Sequence, residues 1–91
     1  MKGRALVAWN LRRVRVQQGL SQVKLAADAG VDRAYLGGLE QQTENPTIDL
    51  LDRIAEALST SVTELLRQPA EGEPPPKNLT YGRKPRGSSA A

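Results

Sequence analysis

The stretch Gly19-Leu20-Ser21-Gln22-Val23-Lys24-Leu25-Ala26-Ala27-Asp28-Ala29-Gly30-Val31-Asp32-Arg33-Ala34-Tyr35-Leu36-Gly37-Gly38-Leu39-Glu40 decides how this chain folds. It reads as two short helices joined by a tight turn. Ser21 suits an N-cap, because its hydroxyl oxygen can accept from an orphan N–H of the first turn. Leu25, Ala26 and Ala29 then fall on one face at helical spacing, giving a helix over about 22–29. Gly30 stands where a helix end asks for positive φ. Asp32 caps a second helix over about 33–41. Helices this short are not stable alone, so the rest of the chain must supply a bundle around them.

On the N-terminal side, Ala5 to Gln18 reads as a first helix. Val7, Leu11 and Val14 recur at core spacing, with Leu6 and Asn10 beside them. Arg12, Arg13 and Arg15 carry charge on other faces. Trp9 and Val16 share a second face, which either covers the ends of the core or contacts another protein. On the C-terminal side, Pro46 breaks the chain and Thr47 caps a fourth helix from about Ile48 to Leu58. Its core stripe is Leu51, Ile54, Ala55 and Leu58, with Asp49, Asp52, Arg53 and Glu56 in water. Ser61-Val62-Thr63-Glu64 fits a capping box that opens a short fifth helix with Val62, Leu65 and Leu66. The pattern predicts an all-α domain over residues 1–67. Residues 68–91 hold five of the six prolines and predict a Pro/Gly-rich, basic, disordered or extended tail.

Composition narrows the chemistry. Ninety-one residues allow one domain with a modest core. The chain has neither cysteine nor histidine, which removes disulfides, thiolate nucleophiles, imidazole acid–base chemistry and the usual zinc sites. No catalytic residues, metal ligands or cofactors are expected. Ala5 to Trp9 is too short an apolar run for a signal peptide, and a soluble, cytoplasmic protein is the expectation. Net charge is +3, which permits a nucleic-acid partner where the cations gather on one face.

From about Val7 to Leu66 the chain resembles the phage-repressor and Cro-type (XRE) helix-turn-helix family. The likeness rests on Leu11-Arg12, Arg15, Gly19-Leu20-Ser21-Gln22, Leu25-Ala26, Gly30-Val31, Tyr35-Leu36, Leu39-Glu40, Asn45-Pro46, Leu51, Ile54-Ala55, Ala57-Leu58 and Glu64-Leu65-Leu66. It implies a compact five-helix, lambda-repressor-like DNA-binding domain, usually dimeric on a two-fold operator. In such a domain the second helix of the motif enters the major groove and the first crosses the backbone. It also implies an interhelical ion pair between Arg15 and Glu40, and a DNA contact from Gln22.

On a helical wheel, Leu36 and Leu39 point inward while Arg33, Ala34, Gly37, Gly38 and Gln41 fill the opposite arc. These five are the residues expected to face bases. Arg33 is the first choice, since its fork can donate twice to guanine O6 and N7, although it reaches phosphates as easily. Ala34 offers a methyl for thymine, and Gln41 a base edge or a phosphate. Each of the paired glycines costs about 1 kcal/mol against alanine inside a helix. Close approach to the DNA backbone is the preferred reason for them, against fraying or simple tolerance. Gly37→Glu is then expected to abolish binding in a folded protein. Ser21, Gln22, Tyr35 and Asn45 are expected at phosphates or in mixed contacts.

Two departures weaken the family pattern. Members commonly carry Arg or Lys after the glutamate and before the Asn-Pro, whereas this chain has Gln41-Gln42-Thr43-Glu44-Asn45-Pro46. Glu44 would repel phosphates, so weak binding by the isolated domain is expected. In the tail, Gly82-Arg83-Lys84-Pro85-Arg86-Gly87 matches the minor-groove AT-hook pattern poorly and reads as a solvated basic arm. The leading reading is a sequence-specific transcriptional regulator, a repressor or controller, binding double-stranded DNA as a homodimer. The alternative is an antitoxin-like module whose tail engages a partner protein. An enzyme is disfavoured, because the carboxylates lie on exposed faces and the serines Ser21 and Ser61 serve as caps.

Overall fold

Among the residues described by the computed structural model, 1–77, five helices follow one another: α1 (Gly3–Gln17), α2 (Gln22–Ala29), α3 (Arg33–Glu40), α4 (Ile48–Ala57) and α5 (Val62–Leu65). The starts of α2 to α5 follow from side-chain caps. Lys24 N–H donates to Ser21 Oγ at 3.0 Å and Tyr35 N–H to an Asp32 carboxylate oxygen at 3.2 Å. Leu50 N–H donates to Thr47 Oγ1 at 3.0 Å and Glu64 N–H to Ser61 Oγ at 3.2 Å. These bonds satisfy N–H groups that the helices themselves leave free.

The ends of α1 to α4 share one device. A residue of positive φ turns the chain, and the next N–H reaches back five residues to a carbonyl that would otherwise be orphaned. Gly19 and Gly30 turn α1 and α2 at φ +71° and +70°, and Leu20 and Val31 then donate to Arg15 and Ala26 carbonyls at 3.0 and 2.9 Å. Gln42 and Ser59 do the same for α3 and α4 at φ 66° and 55°, with Thr43 donating to Gly38 and Thr60 to Ala55, both at 2.9 Å. Residues other than glycine are strained in this conformation, by roughly 1–2 kcal/mol.

Leu11, Leu25, Leu36, Leu39, Ile54, Leu58 and Leu65 are fully buried in one cluster, with Val7, Val14, Ala26, Ala29, Leu51 and Ala55 completing it. α3 packs against α1 and α2, α4 against α2 and α5, and α5 returns to α1. The predicted stripes are therefore the observed core. No described helix is long and apolar enough to cross a membrane.

Three local expectations change. The capping box at Ser61 is half formed: Glu64 turns to Arg13 and Arg67 instead of back to the cap. Asn10 is fully buried, and its amide donates to the carbonyls of Leu65 at 3.1 Å and Arg67 at 2.7 Å, closing the end of α5. Arg53 crosses to α2, donating to the Ala29 and Gly30 carbonyls at 3.2 and 2.5 Å, where a cation also suits the helix dipole. The segment 68–77 forms no helix and makes a few polar contacts of its own. Gln68 accepts from the N-terminal ammonium at 3.2 Å, Ala70 N–H donates to Glu73 at 2.9 Å, and Glu73 pairs with Arg67 at 3.7 Å. Pro75 and Pro76 line an open groove together with Trp9 and Arg12 of α1. Proline gives up little chain freedom on ordering, and the indole offers it an apolar floor. The basic run 82–87, with Leu79 and Tyr81, lies outside the described residues.

Candidate nucleic-acid interface

Glu40 anchors the site. It closes α3 on the inner side, with its side chain fully buried. Arg15 meets it in a fork: Nε donates to Oε2 at 2.7 Å and an Nη to Oε1 at 2.9 Å. The Arg15 guanidinium also donates to the Leu20 carbonyl at 2.8 Å, which ties the ion pair to the turn before α2. Arg12 adds a bond to Oε1 at 3.2 Å, and Gln22 Nε2 another at 3.1 Å. Burial alone would raise the Glu40 pKa. The bonds and charge of Arg15, helped by Gln22 and Arg12, outweigh it and hold the carboxyl below its ordinary value. A carboxylate with this many donors is matched in the way a buried charge requires.

Gln22 carries the network outward. Its Nε2 is taken by Glu40, so its Oε1 faces the surface, where it accepts from Arg33 Nη1 at 3.0 Å. Arg33 is itself exposed. The chain of contacts from Arg15 through Glu40 and Gln22 to Arg33 thus runs from the core to the first residue of α3. Ala34 and Gln41 are exposed on the same arc. Ser21 is half-buried, with its hydroxyl engaged as the cap of α2. Tyr35 is half-buried and packs against the core.

Gly37 and Gly38 are buried, although both sit on the outward arc. A Cβ on Gly37 would lie 3.6 Å from Gln22 Oε1 and 3.7 Å from Arg33 Nη1, which is ordinary contact. At Gly38 the space is already filled. A Cβ there would lie 2.6 Å from Glu44 Cγ, 3.0 Å from Thr43 Oγ1 and 3.3 Å from Glu44 Oε2. The turn at Gln42 brings this segment back, and Thr43 donates twice to the Gly38 carbonyl, through N–H at 2.9 Å and Oγ1 at 3.2 Å. Glu44 therefore lies across the outward face of α3. Asn45 is apart from the arc, in an open groove with Gly3, Arg4, Pro46, Ile48 and Leu66.

Sequence reasoning placed Arg15, Glu40, Gln22 and Arg33 in the site. It missed the Arg12 bond, the Gln22–Arg33 bond and the position of Glu44. The pair Gly37-Gly38 followed by a second turn signal was the available hint for the last of these.

A family model described as "Helix-turn-helix" (HTH_3) matches residues 11–65. A protein of Neisseria meningitidis serogroup B named "Neisseria hypothetical transcription factor" is 37% identical over 68 residues, covering 75% of this chain and 64% of that protein. The chain thus spans less than two thirds of that relative. The crystal structure of a hypothetical transcription factor, NHTF, from Neisseria superposes with a TM-score of 0.72 at 37% identity, over 75% of this chain and 78% of that one. "Control protein C.SmaI" of Serratia marcescens is 41% identical over 61 residues, covering 67% of this chain and 73% of that protein.

Proposed function

The chain belongs to the HTH_3 (XRE) helix-turn-helix family of transcriptional regulators, and on that premise we propose that it binds operator DNA in a sequence-specific manner, with α3 in the major groove. The observation that carries this reading is the outward arc of α3, with Arg33 at its leading end held by Gln22. An eight-residue helix is about 12 Å long and fits a groove about 12 Å wide. Arg33 supplies the donor fork, Ala34 the methyl contact and Gln41 a polar contact at the far end. Ser21, Gln22 and Tyr35 serve the flanking backbone, whereas Asn45 lies apart, in the groove with Ile48 and Leu66. Gln41, Gln42 and Glu44 bring no cation to it, so the single domain binds weakly.

Two copies on an inverted repeat compensate for that weakness, with recognition helices about 34 Å apart. The face that fits a second copy is the groove of Pro46, Ile48, Leu51 and Leu66 against Val7. Ile48 is 62% exposed and Leu66 37% exposed. The Trp9 face, by contrast, is shared with Pro75 and Pro76 of the same chain. The role is repression or control of transcription, in keeping with the relative named as a control protein.

Selection of bound duplexes from a random library at two salt concentrations tests the proposal. Enrichment of an inverted repeat with half-sites one turn apart is expected. Salt-sensitive binding without any enriched sequence would sink the specific-regulator reading. For the dimer, sedimentation equilibrium of Ile48→Asp is expected to return a monomer where the parent chain is dimeric.

A further inference from the structure

We propose that Glu44 reads a base, serving as the side chain that Gly38 lacks. This rests on the DNA-binding reading above and names a specificity-determining residue within it. Gly38 sits on the outward arc of α3, one turn beyond Ala34, where a groove-bound helix turns a side chain toward base edges. It has none to offer. Glu44 takes the vacancy: its Cγ and Oε2 lie 2.6 and 3.3 Å from where a Gly38 Cβ would stand. The placement is built in, because the Gln42 turn and both Thr43 bonds to the Gly38 carbonyl fix the segment that delivers it. No hydrogen bond or ion pair to another described residue engages the Glu44 carboxylate, which leaves its oxygens available to a ligand.

The chemistry of the group selects the base. An ionised carboxylate only accepts hydrogen bonds. In the major groove, amino donors belong to cytosine N4 and adenine N6. Adenine presents the N7 acceptor beside its amino group, which repels the second carboxylate oxygen. Cytosine has no acceptor there, and guanine and thymine offer their own acceptors. Glu44 therefore selects cytosine. Gly38 stands five positions beyond Arg33, about 7.5 Å along the helix. At about 3.4 Å per base pair, the cytosine lies about two base pairs from the base met by Arg33. The same carboxylate repels phosphates, so arbitrary DNA is held less well. Glu44 thus trades affinity for discrimination.

The test is duplex selection with the full chain and its Glu44→Ala and Glu44→Gln variants, each checked for helicity by circular dichroism. The parent chain is expected to prefer cytosine by about tenfold at one position of each half-site. Glu44→Ala loses that preference and binds arbitrary DNA more tightly at low salt. Glu44→Gln, close in shape but able both to donate and to accept, moves the preference to adenine. Unchanged base preferences in both variants, with a uniform gain in affinity, would overturn the proposal and leave Glu44 as a mere repeller of phosphates. A parent chain that selects no sequence would overturn the DNA-binding reading itself and this proposal with it.

Discussion

The side-chain carbonyl of Gln22 accepts a hydrogen bond from the Arg33 guanidinium at 3.0 Å, across the two helices of the motif. The bond has a direction because Glu40 has already taken the amide nitrogen of Gln22. Arg33, a long side chain with much rotamer freedom, is thereby held before any ligand arrives. Arg33→Ala is expected to relax discrimination at one base position by about 1–3 kcal/mol. Gln22→Ala should relax the same position by less, since the fork stays but loses its guide. Competition binding with single-base operator variants measures both. A loss from Arg33→Ala that is uniform across sequences would instead mark a phosphate contact.

The Arg15–Glu40 pair is buried and bidentate, so removing one partner strands the other. Glu40→Ala is expected to cost about 3–5 kcal/mol in urea unfolding. The pair also fixes a pH dependence. Glu40 is held below its ordinary pKa by Arg15, Gln22 and Arg12 against its own burial, and Glu64 is held below its own mainly by Arg13. A depressed carboxylate stabilises the fold above its unfolded pKa of about 4.3. That stability is lost as pH falls through the lower folded value. Urea midpoints should therefore drop on acidification below about pH 4.3. The Glu40→Gln variant should start lower and fall less steeply; an equally steep fall would show that Glu40 is not the group titrating.

The two glycines of α3 separate by what stands over them. Gly37 has ordinary contact distance to spare, so Gly37→Ala should raise stability by about 0.5–1 kcal/mol. Gly38→Ala meets Glu44 Cγ and Thr43 Oγ1 at once, and Glu44 must swing aside. Its gain should be smaller than that of Gly37→Ala, or absent. Thermal unfolding of the two variants side by side decides this, and equal gains would mean that the Glu44 packing carries no energetic weight.

The core was legible in the sequence because periodicity reports it directly. Val7, Leu11 and Val14 in α1, or Leu51, Ile54 and Leu58 in and after α4, face inward wherever a helix forms over them. Caps were legible for the same local reason, and Ser21, Asp32 and Thr47 act within three residues of themselves. What sequence left unread depends on contacts distant along the chain. Asn10 looked like a flank of the core stripe, because its acceptors stand 55 and 57 residues away. Glu44 looked like a loop charge, because only the turn at Gln42 carries it over Gly38. The glycine pair on the outward arc was read as room for DNA, and at Gly38 that room is occupied by the chain itself.

Pro75 and Pro76 line an open groove of about 140 Å³ together with Trp9, Met1, Ala5 and Ala8. Trp9 is the chain's sole tryptophan, so tryptophan emission reports the surroundings of this one residue. Replacing both prolines with glycine raises the freedom of the unfolded segment and removes apolar cover. The Pro75→Gly, Pro76→Gly double variant is therefore expected to show redder emission and stronger acrylamide quenching, at a stability cost of about 1 kcal/mol. Emission identical to that of the parent would mean that the proline segment does not rest on the indole in solution. The indole Nε1 is buried and meets no acceptor among the described residues. A buried donor without a partner costs about 1–3 kcal/mol. Trp9→Phe removes that donor along with part of the ring, so the two effects oppose each other. The variant should unfold within about 1 kcal/mol of the parent, well short of what loss of a large aromatic would otherwise cost.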